Sequence, residues 1–332
     1  MWPKLRSGLP SSRSERTVVR LNGALKSTRR LFDAPCTCDL EMAEEAKNEW
    51  LKDMEEDSRV KPARWNPRPL EHLRYHIREL LNGWKGTEGW METVHAYCPD
   101  QQGCFEAKKG KGGTLSVHPD NYVHDYSGLR LGAAKTKGKT RVVTMQPAYC
   151  KKVLSKVHNS LYDYLSGFGW LVRGDYTKAD AESVILDRRD GELYTSGDYA
   201  SATNNIKQEV VKMIVGCIAE NALISQEERR VLLESFENLR VYTCHGVKYV
   251  RKGSMMGNLV SFPILCLLNK ACYDICCDIS FGEYSQRVGR FNGDDCLFNA
   301  DDSFFSLWRE VTATFGLIVN EEKTGRSDRF LD

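Results

Sequence analysis

Three aspartates and a run of cations carry the chemistry within reach of this sequence. Asp294 and Asp295 stand together in FNGDDCLF, residues 291–298, and Asp198 stands in SGDYASATNN, residues 196–205. Carboxylates are hard oxygen ligands, the kind Mg²⁺ takes alongside phosphate oxygens and water. Two such ions about 3.5–4 Å apart clamp the attacking and leaving oxygens of an in-line phosphoryl transfer. Such a reaction asks the protein for position and charge rather than for a covalent intermediate. Gly-Asp-Asp alone decides little, because Asp and Gly are common turn residues. By average usage the tripeptide arises by chance in roughly one chain of this length in ten to twenty. Its partners decide. A triphosphate needs cations on its far side, and KTKGKTRVV, residues 135–143, offers Lys135, Lys137, Lys139 and Arg141. Alternation places Lys139 and Arg141 on one face of a strand, and Arg141 suits a bidentate phosphate contact.

Elements must hold these residues in place. Val288 and Phe291 on one side of the aspartates, and Cys296, Leu297 and Phe298 on the other, read as a hairpin with Gly293 in its turn. GELYTSGDY (191–199) reads as a strand that delivers Asp198, and KTRVVTMQP (139–147) as a strand stopped by Pro147. Residues 98–124 read as Gly- and Lys-rich loops. Helices are predicted over 39–56, 68–82 and 148–166, the second with Leu70, Leu73, Ile77 and Leu81 on one face. Ile206, Val210, Val211, Ile214 and Ile218 form another stripe, with Thr203 or Asn204 as its cap. Residues 239–250 read as a hairpin turning at His245-Gly246. A Gly-bounded loop, GSMMG (253–257), leads into an apolar helix through 278, with Pro263 in its first turns. Phe304, Leu307, Trp308, Val311 and Phe315 form a last helical stripe ending at Gly316, and LIVN (317–320) reads as a final strand. The order predicts an α+β fold, an antiparallel sheet with helices on one face.

At 332 residues the chain can bury a large core, and no apolar run approaches the ~18 residues of a membrane span. The net charge of +2 hides an uneven distribution. Residues 1–35 carry eight Lys/Arg against two acids, 39–57 carry nine acids against Lys47 and Lys52, and 131–152 carry six basic residues and no acid. The first two blocks read as solvated faces, the third as candidate phosphate contacts. The start has no secretory h-region; it is Arg- and Ser-rich, a composition shared with mitochondrial presequences. The 12 cysteines are irregularly spaced and read as reduced thiols. Cys36, Cys38, Cys98 and Cys104 with His95 or His118 match no standard zinc spacing.

Taken together, KGKTRVV, SGDYASATNN, GSMMGNLVSFPILCLLN, FNGDD and GLIVNEEKTG resemble the ordered motifs F, A, B, C and D of a viral RNA-dependent RNA polymerase. The wording is similar to that of the ourmia-like viruses, the botourmiavirus group related to narnaviruses, mitoviruses and leviviruses. PDQQGC (99–104) and GGTLSV (112–117) resemble that group's fingers region. Residues 1–34 read as a basic, weakly ordered segment. The resemblance implies a right-hand polymerase, with fingers over 35–190 and a palm over 191–332. It implies an enzyme replicating a positive-strand RNA genome from ribonucleoside triphosphates and an RNA template. Two Mg²⁺ ions, with Mn²⁺ as a substitute, would be held by Asp198 and Asp294 with Asp295 assisting. Lys135, Lys139 and Arg141 would hold the triphosphate. Gly253, Ser254 and Gly257 would form the loop that follows template and nucleotide, and Ser261 would lie near the incoming sugar. Lys323 would protonate departing pyrophosphate. The group implies the host cytoplasm ahead of the mitochondrion.

Two departures matter. Asn204 stands where the family has a second aspartate that senses the ribose 2′-OH; Asn still donates and accepts, so ribose selection is expected to be weaker rather than lost. The chain also stops at Asp332, where the family continues into a primer grip and thumb, so it reads as a partial sequence that holds the template–product duplex poorly. A reverse transcriptase shares the palm, but it would carry an aromatic-x-Asp-Asp turn and a bulky aromatic near the sugar. A degenerate, RNA-binding palm would more often have lost one of the aspartates.

Overall fold

The computed structural model describes residues 37–56, 59–88, 97–121, 125–136, 139–282 and 287–329. The expected weakly ordered segment over 1–34 lies outside them. Residues Lys47–Asp332 form one compact unit.

The sheet that carries the aspartates has the order β6-β7-β3-β8, antiparallel throughout: β3 is Leu193–Gly197, β6 Gly289–Asn292, β7 Asp295–Ala300 and β8 Gly325–Ser327. The register sets Gly197 opposite Cys296 and Thr195 opposite Phe298. Opposite residues share a face, so this face turns Phe291, Cys296, Phe298 and Ala300 into the main core. There it meets helix α8 (Ser261–Phe281) and helix α9 (Asp302–Phe315). Tyr273 of α8 lies edge-on to Phe291 and Phe304, with ring centroids 5.4 and 5.7 Å away. Rings so arranged bring their positive edges to negative faces.

The opposite face is covered too, against expectation. Tyr194 and Leu297 pack with Val184 of helix α4 (Lys178–Asp187). Asn299 Nδ2 donates to the Val184 carbonyl at 2.6 Å. The sheet is therefore buried on both sides, which explains why β7 is apolar without strict alternation. Thr177 and Asp180 close a capping box at the start of α4.

The other sheet has the order β2-β1-β4-β5, with β1 Gly128–Thr136, β2 Lys139–Met145, β4 Arg240–Thr243 and β5 Gly246–Tyr249. Strands β1 and β4 are parallel and the rest antiparallel. Two expectations change here. The 239–250 hairpin belongs to this sheet rather than to the aspartate sheet, and its turn is Cys244-His245, because Thr243 pairs with Gly246. Strand β1 occupies a stretch with no predicted element. Leu129, Leu131 and Val142 from β1 and β2 pack with Val241 of β4, Val250, and Trp50 and Met54 of helix α1 (Thr37–Met54).

The remaining helices fill the main core: α2 (Pro69–Leu81), α3 (Ala148–Ser166), α5 (Ala202–Asn205), α6 (Gln208–Ala219) and α7 (Gln226–Glu234). The helical stripe after Asp198 begins differently from expectation. Ser201 opens the short α5 in a left-handed conformation, and α6 starts after Lys207 with no side-chain cap. LIVN forms no strand. It contributes one bridge, Tyr199 to Val319, with Ala200 N–H donating to Ile318 and Asn320 N–H to Asp198. The strand that flanks β3 is β8, a little later.

Candidate active site

Asp198 directly follows β3, and the Gly293-Asp294 turn joins β6 to β7, which lies next to β3. Gly293 has φ +67° and a Cβ there would lie 2.8 Å from Phe262. A two-residue turn with positive φ only at its first position favours glycine there. The turn is held from below. Asn269 of α8, fully buried, donates from Nδ2 to the Gly293 carbonyl at 3.0 Å. Its Oδ1 accepts from the Tyr199 hydroxyl at 2.8 Å. One amide thus ties the residue after Asp198 to the residue before Asp294. Neither Asn269 nor Tyr199 had been singled out in the sequence. The available signal was a lone amide inside an apolar helix, since a buried polar group needs a partner. Asn269→Ala strips partners from both groups, at about 1–3 kcal/mol for each orphaned group. The urea midpoint, read by circular dichroism, is expected to fall accordingly; an unchanged midpoint would remove the tie from the account.

Asp198 is largely buried and Asp294 and Asp295 are exposed. Lys323 donates from Nζ to Asp198 Oδ2 at 2.7 Å. That hydrogen bond, then the charge of Asp198 and of the two neighbouring aspartates, raises the Lys323 pKa. Loss of hydration, then Asp294 and Asp198, push the Asp295 carboxyl above its usual range, with Lys323 opposing. The three carboxylates and the ammonium therefore act on one another. Three carboxylates brought to one place are all-oxygen donors, which fit a divalent, oxygen-seeking cation. They do not form a group whose ligand atoms all lie within 4.8 Å of one another.

The raised Asp295 pKa has a consequence for stability. The folded chain keeps this proton to higher pH than the unfolded chain does. Stability therefore falls as pH rises from the ordinary value through the raised one, and the cost persists above it. Asp295→Asn is expected to raise the thermal midpoint at neutral pH and to leave it unchanged below the usual carboxylate range. Calorimetry at the two pH values checks this.

The loop expected to follow template and nucleotide is pinned on two sides. Gly253 N–H donates to Ile206 and Ser254 N–H to Thr203, next to α5. On the other side Thr144 of β2 donates from its N–H and its Oγ1 to the Met256 carbonyl, at 2.6 and 2.9 Å. Gly257 has φ +106°, and a Cβ there would lie 2.3 Å from the Thr144 carbonyl oxygen, so only glycine fits. Ser254 is fully buried, and its Oγ has no hydrogen-bond partner among the described residues. Ser261, expected near the sugar, is buried, its hydroxyl facing the Ser254 and Met255 carbonyls. Its visible work is to hold the loop.

The basic hairpin divides. Ala134 pairs with Arg141 and Thr136 with Lys139, whereas Lys135 pairs with Thr140. The backbone positions of Lys139 and Arg141 thus share a face, and Lys135 lies on the opposite one, with Leu129, Leu131 and Val142. Arg141 and Lys135 are both exposed; grouping them on one phosphate chain is not what the register supports. Lys137 and the side chain of Lys139 lie outside the described residues. Asn204 accepts from Trp50 Nε1 at 3.2 Å, which leaves its amide hydrogens as the groups on offer.

The cysteine cluster weighed as a zinc site is not assembled among the described residues. Cys104 is buried and Cys98 exposed, both as free thiols. Cys36 and His95 lie outside the described residues.

No family model matches the chain. The chain is similar to the RNA-dependent RNA polymerase of Ourmia melon virus (isolate Melon/Iran/VE9). The two are 26% identical over 230 residues, covering 58% of this chain and 25% of that protein. The chain thus spans about a quarter of the length of the curated relative it matches. No helix among the described residues is long and apolar enough to cross a membrane. Over the matched stretch the likeness is to a viral RNA-dependent RNA polymerase, the same family that the sequence motifs resemble.

Proposed function

We propose that this chain carries the nucleotidyl-transfer centre of a viral RNA-dependent RNA polymerase. It replicates a positive-strand RNA genome in the host cytoplasm from an RNA template and ribonucleoside triphosphates. The observation that supports this reading best is the pairing of β3 with β7, which sets Asp198 beside the Gly293-Asp294 turn, with Lys323 bound to Asp198. In this reading Asp198 and Asp294 hold two Mg²⁺ ions with help from Asp295, and Mn²⁺ can replace them. The ions, when bound, supply charge stabilisation to the attacking and leaving oxygens. The side chains have separate tasks. Arg141 and Lys139 bind the triphosphate. Gly253, Ser254 and Gly257 shape the loop under the template. Ser261 holds that loop shut, and Lys323 keeps a proton at Nζ within reach of the leaving pyrophosphate.

Asn204 faces the ribose 2′-OH with its amide hydrogens. An aspartate there keeps one oxygen for Trp50 and offers the other to the hydroxyl. Asn204→Asp is therefore expected to raise the preference for ribonucleotides over deoxynucleotides, by about tenfold for a hydrogen bond to a charged group. Competitive incorporation measures the ratio; an unchanged ratio removes Asn204 from sugar selection.

The test of the function is primer extension on an RNA template with ribonucleotides and Mg²⁺. It compares this chain, a form extended with a related thumb, and Asp294→Ala. Extension that the variant abolishes supports the proposal. No extension by a folded, extended form that still binds RNA favours a non-catalytic palm.

A further inference from the structure

We infer that helices α2 and α8 hold a structural site for a divalent transition metal, of the kind zinc fills, built from His72, His76 and Asp278. The inference is independent of the polymerase reading. His72 and His76 are four residues apart on α2 and so share a face, and Asp278 comes from α8. One ligand atom from each lies within 4.8 Å of the others, the one such trio among the described residues. The two imidazole centroids are 5.1 Å apart.

The contact between His76 and Asp278 carries the argument. Nε2 lies 3.2 Å from Oδ2, yet this buried nitrogen makes no hydrogen bond. Two polar atoms at contact distance without hydrogen-bond geometry are arranged as two ligands of one ion are. With bonds of about 2.0–2.1 Å to nitrogen or oxygen, tetrahedral ligands sit about 3.3 Å apart. An ordinary buried His–Asp pair would close its hydrogen bond, and would not need His72 at the same point. Two imidazoles and a carboxylate suit zinc. Lys270, also on α8, is paired with Asp274. Leu73, Ile77 and Ile275 of the same helices belong to the main core. A metal here would bind α2 to the helix that carries Asn269.

Asn66 bears on affinity. Its Nδ2 lies 3.1 Å from His72 Nδ1, and its Oδ1 accepts from Arg68 N–H at 2.7 Å. An amide that donates to Nδ1 leaves the imidazole proton on Nε2, where it opposes metal. An aspartate at 66 keeps the Arg68 contact and gives His72 the carboxylate partner that raises the basicity of a metal-bound imidazole.

The test uses the full chain, stripped with a chelator and titrated with Zn²⁺ alone, then with Co²⁺. Metal content and the visible cobalt spectrum are the readouts. The expected result is zinc uptake with a tetrahedral cobalt spectrum. Asp278→Asn and His72→Gln should each weaken affinity at least tenfold, Asn66→Asp should tighten it, and Asp294→Ala should leave it unchanged. Zinc uptake that neither Asp278→Asn nor His72→Gln alters would overturn the site, as would a folded wild-type chain that takes up no zinc.

Discussion

Asp294→Ala is expected to lower nucleotide incorporation by about a thousandfold or more in whichever form of the chain extends a primer. The carboxylate sits in the turn between β6 and β7, exposed, and its loss removes an anchor for the charge that stabilises the transition state. Such stabilisation is worth several kcal/mol, and about 1.4 kcal/mol is a factor of ten in rate. The fold should survive, because the side chain reaches outward and the turn is held by Gly293 and Asn269. Single-turnover extension with a matched circular dichroism spectrum separates the two effects. A rate within tenfold of wild type would remove Asp294 from the chemistry.

Arg287 is expected to dominate stability as Asp294 dominates rate. Its side chain is 1% exposed and binds Glu192 through Nη1 and Nη2, both at 2.8 Å, and Asp187 through Nε at 2.9 Å. Burial opposes its charge, and the bonds to Glu192 and Asp187 outweigh that and raise its pKa. The pair joins the start of the β6–β7 hairpin to the end of α4 and the entry to β3. Arg287→Leu leaves the buried Glu192 charge without its partner, at a cost of about 3–5 kcal/mol. A matched apolar pair, Arg287→Leu with Glu192→Leu, should recover most of it. Urea titrations of the single and double variants measure both. A single variant within 1 kcal/mol of wild type, on the order of ordinary surface changes, would contradict the account.

What could be read in the sequence was local. Asp198, Asp294 and Gly293 announce themselves because a strand, a turn and a glycine with positive φ each leave a short-range signature. Helix α2 and its face follow from Leu73 and Ile77. What stayed hidden depended on distant partners. Gly128–Thr136 is rich in Gly and Ala and forms a strand only because β2 and β4 pair with it. Lys135 joins Lys139 and Arg141 only through the motif resemblance, and the hairpin register, which no single strand reveals, sets it on the opposite face from Arg141. Ser261 looks free in sequence and is committed to the loop in the fold. Some signals were present and unused. Thr177 with Asp180, and Ser225 with Glu228, form capping boxes that mark α4 and α7.

The position of β3 sets an order on the making of this protein. Both of its neighbours, β7 and β8, are supplied from far downstream. While the chain is being synthesised, the strand that delivers Asp198 has two bare edges, and it keeps them until the Gly-Asp-Asp hairpin has emerged. Contacts so distant in sequence close slowly, and an unpaired apolar strand is a template for pairing with another chain. Nascent chains halted ahead of β7 should therefore depend on chaperones to stay soluble, and release from that dependence should coincide with the emergence of residues 295–300.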